Sequence, residues 1–327
     1  MPLHTFWMWW DNHFITLFYG NNLAGLLKVS NTWFSFYANN APPTIRIFGF
    51  FPDSHSFSLF GLIGLPALFA LFYFYRQERS IKKEALLGAV LFFDLMTFVL
   101  SGTRGIWAAA IVPFLVIVFF IIKKYKPVDL AKLSLAVFIV FIIAFPISFS
   151  ILSLSQKITF HGSVNSYYEF QRVTSIANLS DISNLGRLEI WKSSIIEFMH
   201  HPVLGIGIAN FPLALDENIH SLKEGSSAHN LYLNFAVETG IIGLAALLLV
   251  FYRLLENDYV TLKKAVSKNN LEKSLIAFSF FFGIALIWIF VYNGVDVVLA
   301  NDKVLLFFVS QTAILYASSK YLIKNHE

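Results

Sequence analysis

The residues best suited to chemistry in this chain are one histidine and a small set of arginines. His229 stands where a long polar segment ends and an apolar helix is predicted to begin. An imidazole can accept a proton at neutral pH. A guanidinium can hold an anion through two parallel hydrogen bonds without changing its own charge. Together these groups suit a reaction with an anionic leaving group and a nucleophile that has to lose a proton.

Two arginines have a sequence context that favours anion binding. Arg104 lies in the short turn Ser101-Gly102-Thr103-Arg104-Gly105, and Arg187 follows Gly186 at the start of an amphipathic segment. The alternative for each is a surface arginine, or one that pairs with a nearby carboxylate. Weaker candidates for substrate contact are Arg46, Arg172 and Asn230.

Several kinds of site lack support in the sequence. The chain has no cysteine, which excludes disulfides, thiolate catalysis and zinc–thiolate sites. It has no Asp-x-Asp pair, no His-Glu-x-x-His, no phosphate-binding glycine loop and no Gly-x-Ser-x-Gly. The basic residues cluster in short loops and form no stripe suited to nucleic acid. We therefore expect no metal, no cofactor and no nucleic-acid partner.

The composition is that of an integral membrane protein. Of the 327 residues, 57% are hydrophobic and only 13% are charged, whereas a soluble domain is typically about 25% charged. Segments of sufficient length and apolarity to cross about 30 Å of hydrocarbon as helices predict seven spans and an all-α polytopic fold. These segments are residues 58–75, 84–102, 106–122, 131–152, 230–252, 274–293 and 304–320.

The positive charges of the loops orient these spans. Lysine and arginine cluster in loops 76–83, 123–130 and 253–273 and in the C-terminal tail, which predicts a cytoplasmic position for all four. They alternate correctly with seven spans. His229, Arg104 and Arg187 then share the opposite face, where the same charge bias disfavours an arginine without a function. The segments expected on that face are 1–57, 101–105, 153–228 and 294–303.

The sequence predicts a single membrane domain over residues 1–327. Residues 1–57 would form an interfacial or partial span, 58–152 four transmembrane helices, and 229–327 three more. Residues 153–228 are too long for a plain connector, and amphipathic spacing predicts a helix from Gly186 to Met199. If one continuous helix ran on from His229, Gly240 and Gly243 would lie near its face, which favours close approach of a neighbouring helix.

Four stretches in register resemble bacterial O-antigen ligases and the related O-antigen polymerases. Their order and spacing agree over residues 46–250. Where the family usually has Pro-Asn, this chain has Ser54-His55. The family fold has more spans than are predicted here, so the chain resembles the C-terminal portion of such a protein, of the GT-C type. The four stretches are His229-Asn230 followed by Gly240-x-x-Gly243, Ser101 to Trp107, Gly186 to Trp191 followed by His201 to Gly207 and Asn210-Phe211, and Arg46 to Phe57.

The resemblance implies an inverting, metal-independent glycosyltransferase of the bacterial inner (cytoplasmic) membrane, with its site facing the periplasm. Its donor would be a glycan on undecaprenyl diphosphate and its acceptor the lipid A–core, in lipopolysaccharide biosynthesis among membrane lipids. Carried over by position, His229 would activate the acceptor hydroxyl, and Arg104 and Arg187 would bind the diphosphate.

Three alternatives stay open from the sequence. An O-antigen polymerase and a protein O-oligosaccharyltransferase share the fold and differ in the acceptor. A transporter of lipid-linked sugars belongs to a different class, and it would need charged residues in both halves of the bundle together with paired broken helices. The candidates here concentrate on one side, which favours an enzyme.

Overall fold

A computed structural model describes residues 34–36, 45–47, 51, 53–123, 128–159, 182–215, 227–265 and 269–324. Within these ranges the chain is almost entirely helical. The exception is a short antiparallel ribbon of strands β1 (Phe34–Phe36) and β2 (Ile45–Ile47), in which Ser35 lies opposite Arg46. Arg46 is therefore described by its backbone alone, and Arg172 lies outside the described residues.

The helices begin and end at residues that suit helix termini. The Asp53 carboxylate accepts hydrogen bonds from the backbone and hydroxyl of Ser56, at 2.8 and 2.7 Å, and Asn269 caps α8 in the same way. Single 3₁₀ turns occupy Phe211–Ala214 and Val298–Ala300. The helices are α1 (Ser54–Gln77), α2 (Ile81–Leu100), α3 (Arg104–Ala109), α4 (Ile111–Ile122), α5 (Val128–Thr159), α6 (Ile182–His200), α7 (Leu231–Lys264), α8 (Asn270–Tyr292) and α9 (Asp302–Lys324).

Five helical segments of the described chain are long and apolar enough to cross a membrane. The predicted helical, multi-pass membrane fold is thereby confirmed, while the count of seven stays a prediction. The other two predicted spans do form helices, α2 of 20 and α9 of 23 residues. α2 carries the charged residues Lys83, Glu84 and Asp94, and α9 carries the polar stretch Ser318-Ser319-Lys320. The five segments are Ser54–Gln77, Arg104–Ile122, Asp129–Ser148, Leu231–Lys264 and Asn270–Tyr292.

Helix α8 is the centre of the bundle and lies antiparallel to α1. Leu59 and Leu62 of α1 and Leu286 of α8 are fully buried in the core they share. At one end of the pair His55 contacts Tyr292, and at the other the Asn270 amide donates to Glu78 at 2.7 Å. Segments that the charge pattern assigned to one side of the membrane therefore meet at the same end of the bundle. The end that carries Tyr292 and His229 is called the His229 end below.

Helix α7 is broken at Gly240, where φ is 66° and ψ is −166°. The segment that follows α6 fills this break with its backbone, because the break leaves peptide groups free to bond outside the helix. Three backbone hydrogen bonds join the two: Ile206 N to Val237 O at 2.9 Å, Gly207 N to Glu238 O at 2.9 Å, and Ile241 N to Pro202 O at 2.8 Å.

The prediction that Gly240 and Gly243 admit a neighbouring helix is wrong. A Cβ at Gly240 would overlap the carbonyl of Val203, and the positive φ at this position favours glycine in any case. A Cβ at Gly243 would overlap Thr239 of the same helix. Gly240 allows the break in α7 and the entry of the loop, and Gly243 leaves room for the Thr239 side chain. The expected helix from Gly186 to Met199, in contrast, is confirmed as part of α6.

Candidate functional site

The centre of the site is the carboxylate of Asp296, in the turn that follows α8. Its side chain is only 8% exposed. Oδ2 lies 2.5 Å from Nδ1 of His55 and accepts a hydrogen bond from the Tyr292 hydroxyl at 3.3 Å. Oδ1 accepts from the backbone of Val297 at 2.9 Å and faces Nδ1 of His229 at 4.0 Å. One buried carboxylate is thus flanked by two imidazoles.

The electrostatics of Asp296 are decided by these two imidazoles. Burial acts to raise the pKa of the Asp296 carboxyl, but His55 and His229 outweigh it and hold that pKa well below its usual range. The carboxylate is therefore ionised at neutral pH. It is a fixed negative charge beside His229.

His229 is held in place by the backbone on both sides of it. Its φ is 46°, in the left-handed region that residues other than glycine seldom adopt. The Ala228 carbonyl accepts a hydrogen bond from the Trp191 indole at 2.9 Å, and the Leu231 amide bonds to the carbonyls of Asn293 and Asp296 at 2.8 and 3.0 Å. The imidazole is 46% exposed. It is therefore oriented on one side and open to a substrate on the other.

Asn230 is the N-cap of α7. Its side-chain oxygen accepts from the amides of Tyr232 and Leu233, at 3.0 and 3.1 Å. Helix α7 therefore starts at Leu231, and His229 precedes it, so the placement of the histidine on the face of a continuous helix is wrong. Direct contact of Asn230 with a substrate stays a prediction.

Arg104 enters the site through the packing of the turn that precedes it. The hydroxyl of Ser58 donates to that of Ser101 at 2.6 Å, and this ties the turn to the first turns of α1. At Gly105 a Cβ would lie 3.1 Å from the Tyr292 ring, so α3 begins against that tyrosine. Arg104, half-buried, is the first residue of α3.

Arg187, half-buried on α6, lies within electrostatic range of the same tyrosine. Tyr292 in turn bonds Asp296. Three distant segments thus meet at the His229 end: His229 faces Asp296, Arg187 lies within range of Tyr292, and Gly105, which follows Arg104, lies against the tyrosine ring.

Sequence reasoning missed His55, Tyr292 and Asp296 as members of the site. For His55, the signal in the sequence was that Ser54-His55 departs from the family pattern. Asp296 was placed near the correct face but without a partner. In the described part of the chain, no group of three or more histidine, cysteine, aspartate or glutamate side chains is arranged to hold a metal ion.

An apolar cavity of about 100 Å³ opens within the bundle one turn along α3 from Arg104. Trp107 and Trp288 line it, and their indoles donate to the carbonyls of Phe98 and Ile106 at 2.6 and 2.8 Å. These bonds satisfy the polar atoms of the indoles, so the cavity presents an almost wholly apolar lining. The cavity therefore suits an apolar group. The charged side chains next to it suit polar groups.

Comparison with known proteins identifies a family that part of the chain matches. Residues 88–248 match the family model described as O-antigen ligase, and no curated protein matches the chain. The matched segment contains Arg104, Arg187 and His229, while His55 and Asp296 lie outside it. The resemblance inferred from the sequence is thereby confirmed over residues 88–248, the segment that matches the model of this family of membrane proteins that transfer glycans.

Proposed function

We propose that the chain transfers a glycan from a lipid-linked diphosphate to a hydroxyl of an acceptor glycan, with His229 as the general base. The observation that carries this proposal is the pairing of a half-exposed imidazole with the buried, ionised carboxylate of Asp296. The unusual backbone at His229 adds weight, because strained residues concentrate at functional sites. The family match supports glycan transfer as the class of reaction.

The proton would move from the acceptor hydroxyl to His229. With Nδ1–H directed at Asp296, the ring presents its second nitrogen, on the far side from the carboxylate, as the acceptor of that proton. The imidazolium that forms would then be stabilised by the negative charge of Asp296, which needs no proton of its own. General base catalysis of this kind contributes about 10²–10⁴-fold.

The two arginines would meet the charge that develops on the leaving diphosphate. A guanidinium can bond two phosphate oxygens at once and stays charged throughout. Donors that are already in place before the bond breaks lower the barrier most, because they do not have to reorganise. This role is supported by the electrostatic range of Arg187 to Tyr292 and by the contact of Gly105, next to Arg104, with the same ring.

The finer assignment follows the family and the charge pattern. The donor would be a glycan on undecaprenyl diphosphate, the acceptor the lipid A–core, and the transfer inverting and metal-independent. The apolar cavity beside Arg104 is consistent with a lipid-linked donor. The proposed setting is the bacterial inner membrane with seven spans and the His229 end in the periplasm. An O-antigen polymerase or a protein O-oligosaccharyltransferase differs only in the acceptor.

The proposal is tested by His229→Ala in a strain that lacks the native gene. We expect the lipopolysaccharide ladder to disappear while the variant is inserted in the membrane at the normal level. His200→Ala is the matched control, because His200 is an exposed histidine at the end of α6, and it should leave the ladder intact. A normal ladder with His229→Ala would refute the role of the base.

The intermediate that accumulates identifies the acceptor. Loss of a ligase leaves free lipid-linked polymer, whereas loss of a polymerase leaves a cap of a single repeat. Arg104→Lys should also abolish transfer, since one ammonium group cannot reproduce the planar fork of arginine.

A further inference from the structure

The loop between α6 and the turn at Phe211 exposes large apolar side chains. Val203 is 56% exposed, Leu204 74% and Ile208 78%. This loop belongs to none of the segments that are long and apolar enough to span the membrane. A contiguous exposed apolar patch on such a segment marks an interaction surface.

The loop is attached near the His229 end of α7. Leu231–Lys264 is long and apolar enough to cross a membrane, and its basic residues Arg253, Lys263 and Lys264 lie toward the other end. Because Ile206 N bonds Val237 O and Ile241 N bonds Pro202 O, the loop meets α7 within about three turns of its first residue, on the side of the membrane boundary at the His229 end.

The exposed apolar surface is continuous with the lipid-facing surface of α7. Ile241 and Ile242, directly after the break, are 50% and 57% exposed, and Leu249 further along is 54% exposed. Val203 and Leu204 are consecutive residues in the part of the loop that covers Gly240. Because Ile241 N bonds Pro202 O, the exposed apolar side chains of the span and those of the loop lie next to each other at the break.

Helix α6 carries a second apolar face that leads to the loop. Leu188, Ile195 and Met199 lie within about 40° of one another on the helix and are 48%, 52% and 69% exposed. Ile190 and Ser194 lie on the opposite side and are buried against the rest of the protein. Since α6 ends at His200, this exposed face runs directly into the loop.

We infer that the exposed face of α6 and the loop 201–208 rest on the bilayer surface at the His229 end, with Val203, Leu204 and Ile208 inserted among the lipids. The chemistry of the partner is that of the boundary between headgroups and acyl chains, into which apolar side chains of interfacial elements enter by about 5–10 Å. The contact sets the height of the site above the lipid, because the loop is bonded to the first half of α7, which starts at Leu231, two residues after His229. The inference does not depend on the proposed reaction.

The absence of cysteine in the sequence permits a direct test with single labels. Leu204→Cys would be labelled with a polarity-sensitive fluorophore in the full-length chain, in vesicles of phosphatidylethanolamine and phosphatidylglycerol. Quenching by a phospholipid with a shallow nitroxide is compared with quenching by aqueous iodide. Leu249→Cys, on the lipid-facing side of α7, and Glu189→Cys, at an exposed polar position of α6, give the two reference values.

We expect the nitroxide lipid to quench the Leu204 label at least about twice as strongly as the Glu189 label, with the iodide effect correspondingly weaker. Iodide quenching equal to that of the Glu189 label would overturn the inference, because the loop would then face water. Protection from both quenchers would overturn it too, since it would show that protein covers the loop. Each labelled variant should unfold at the temperature of the unlabelled chain.

Discussion

Two buried aspartates at opposite ends of the bundle have very different surroundings. Asp296, at the His229 end, bonds His55 and Tyr292 and faces the half-exposed His229. Asp258, on α7 toward the other end, is 5% exposed and fills the space over the α-carbon of Gly283. Its Oδ1 has no hydrogen-bond partner among the described residues.

The difference shows that burial of a carboxylate does not by itself make a site. Near Asp258 the polar neighbours are hydroxyls, such as that of Ser279. They do not titrate near neutral pH, and the region is closed. Around Asp296 the neighbours are imidazoles, one of which opens to the surroundings. A buried carboxylate that is held ionised next to an accessible titratable group can act on a substrate.

The first prediction sharpens this comparison with one substitution at each end. Asp296→Asn should lower transfer by about 10²–10⁴-fold, because the neutral amide cannot stabilise the imidazolium of His229. Asp258→Asn should retain activity within about threefold, since that carboxyl touches no part of the proposed site. Rates of glycan transfer by the two purified variants provide the measurement.

Equal losses in the two variants would contradict the distinction, provided that both unfold at the temperature of the parent chain. A loss confined to substrate affinity in Asp296→Asn would instead assign Asp296 to binding.

The second prediction concerns the break that positions the site. Gly240→Ala should lower the free energy of unfolding by about 2–3 kcal/mol, because of the positive φ and the overlap with the Val203 carbonyl. Gly88→Ala is the control, since a Cβ there meets only Phe72, at an ordinary 3.9 Å. Thermal unfolding in detergent measures both. If the two variants were equally stable, α7 would tolerate a continuous path through position 240.

The general architecture could be predicted from the sequence because it depends on patterns within short segments. Apolar length predicts spans, and the basic residues between predicted spans predict which helix ends share a side of the membrane. The grouping of Arg104, Arg187 and His229 at one end followed from that alternation. These arguments need only the composition of each segment and its order in the chain.

The details of the site could not be predicted because they depend on contacts between distant segments. His55 and Asp296 are 241 positions apart, and no pattern in either segment indicates their pairing. The entry of the loop at Gly240 was also invisible, since a glycine on an apparent helix fits close helix packing equally well. Positive φ at His229 is likewise a property of the folded backbone.

The third prediction tests whether His55 holds Asp296 in position. His55→Ala removes one of the two partners of Oδ2 and should lower transfer by about tenfold, equivalent to about 1.4 kcal/mol in the barrier. His55→Asn, which offers an amide donor and the residue usual in the family at this position, should lower it by no more than about threefold. Equal rates for alanine and asparagine would show that the hydrogen bond to Asp296 is dispensable. Transfer rates across pH 6–8 complete the test, because a purely structural defect would leave the shape of the pH profile unchanged.

The smallest expected effect is the contribution of Asp296 to stability at low pH. The pKa of Asp296 is lowered in the folded protein, so the unfolded chain binds a proton at a higher pH than the folded one. The stabilisation is therefore complete above about pH 5 and declines as pH falls below about 4, the ordinary range of an aspartate. The stability difference between the parent chain and Asp296→Asn should shrink between about pH 5 and 3. Thermal unfolding of both chains over this range measures it. A difference that stayed constant to pH 3 would show that His55 and His229 do not hold the carboxylate ionised, and the distinction from Asp258 would then rest on access to His229 alone.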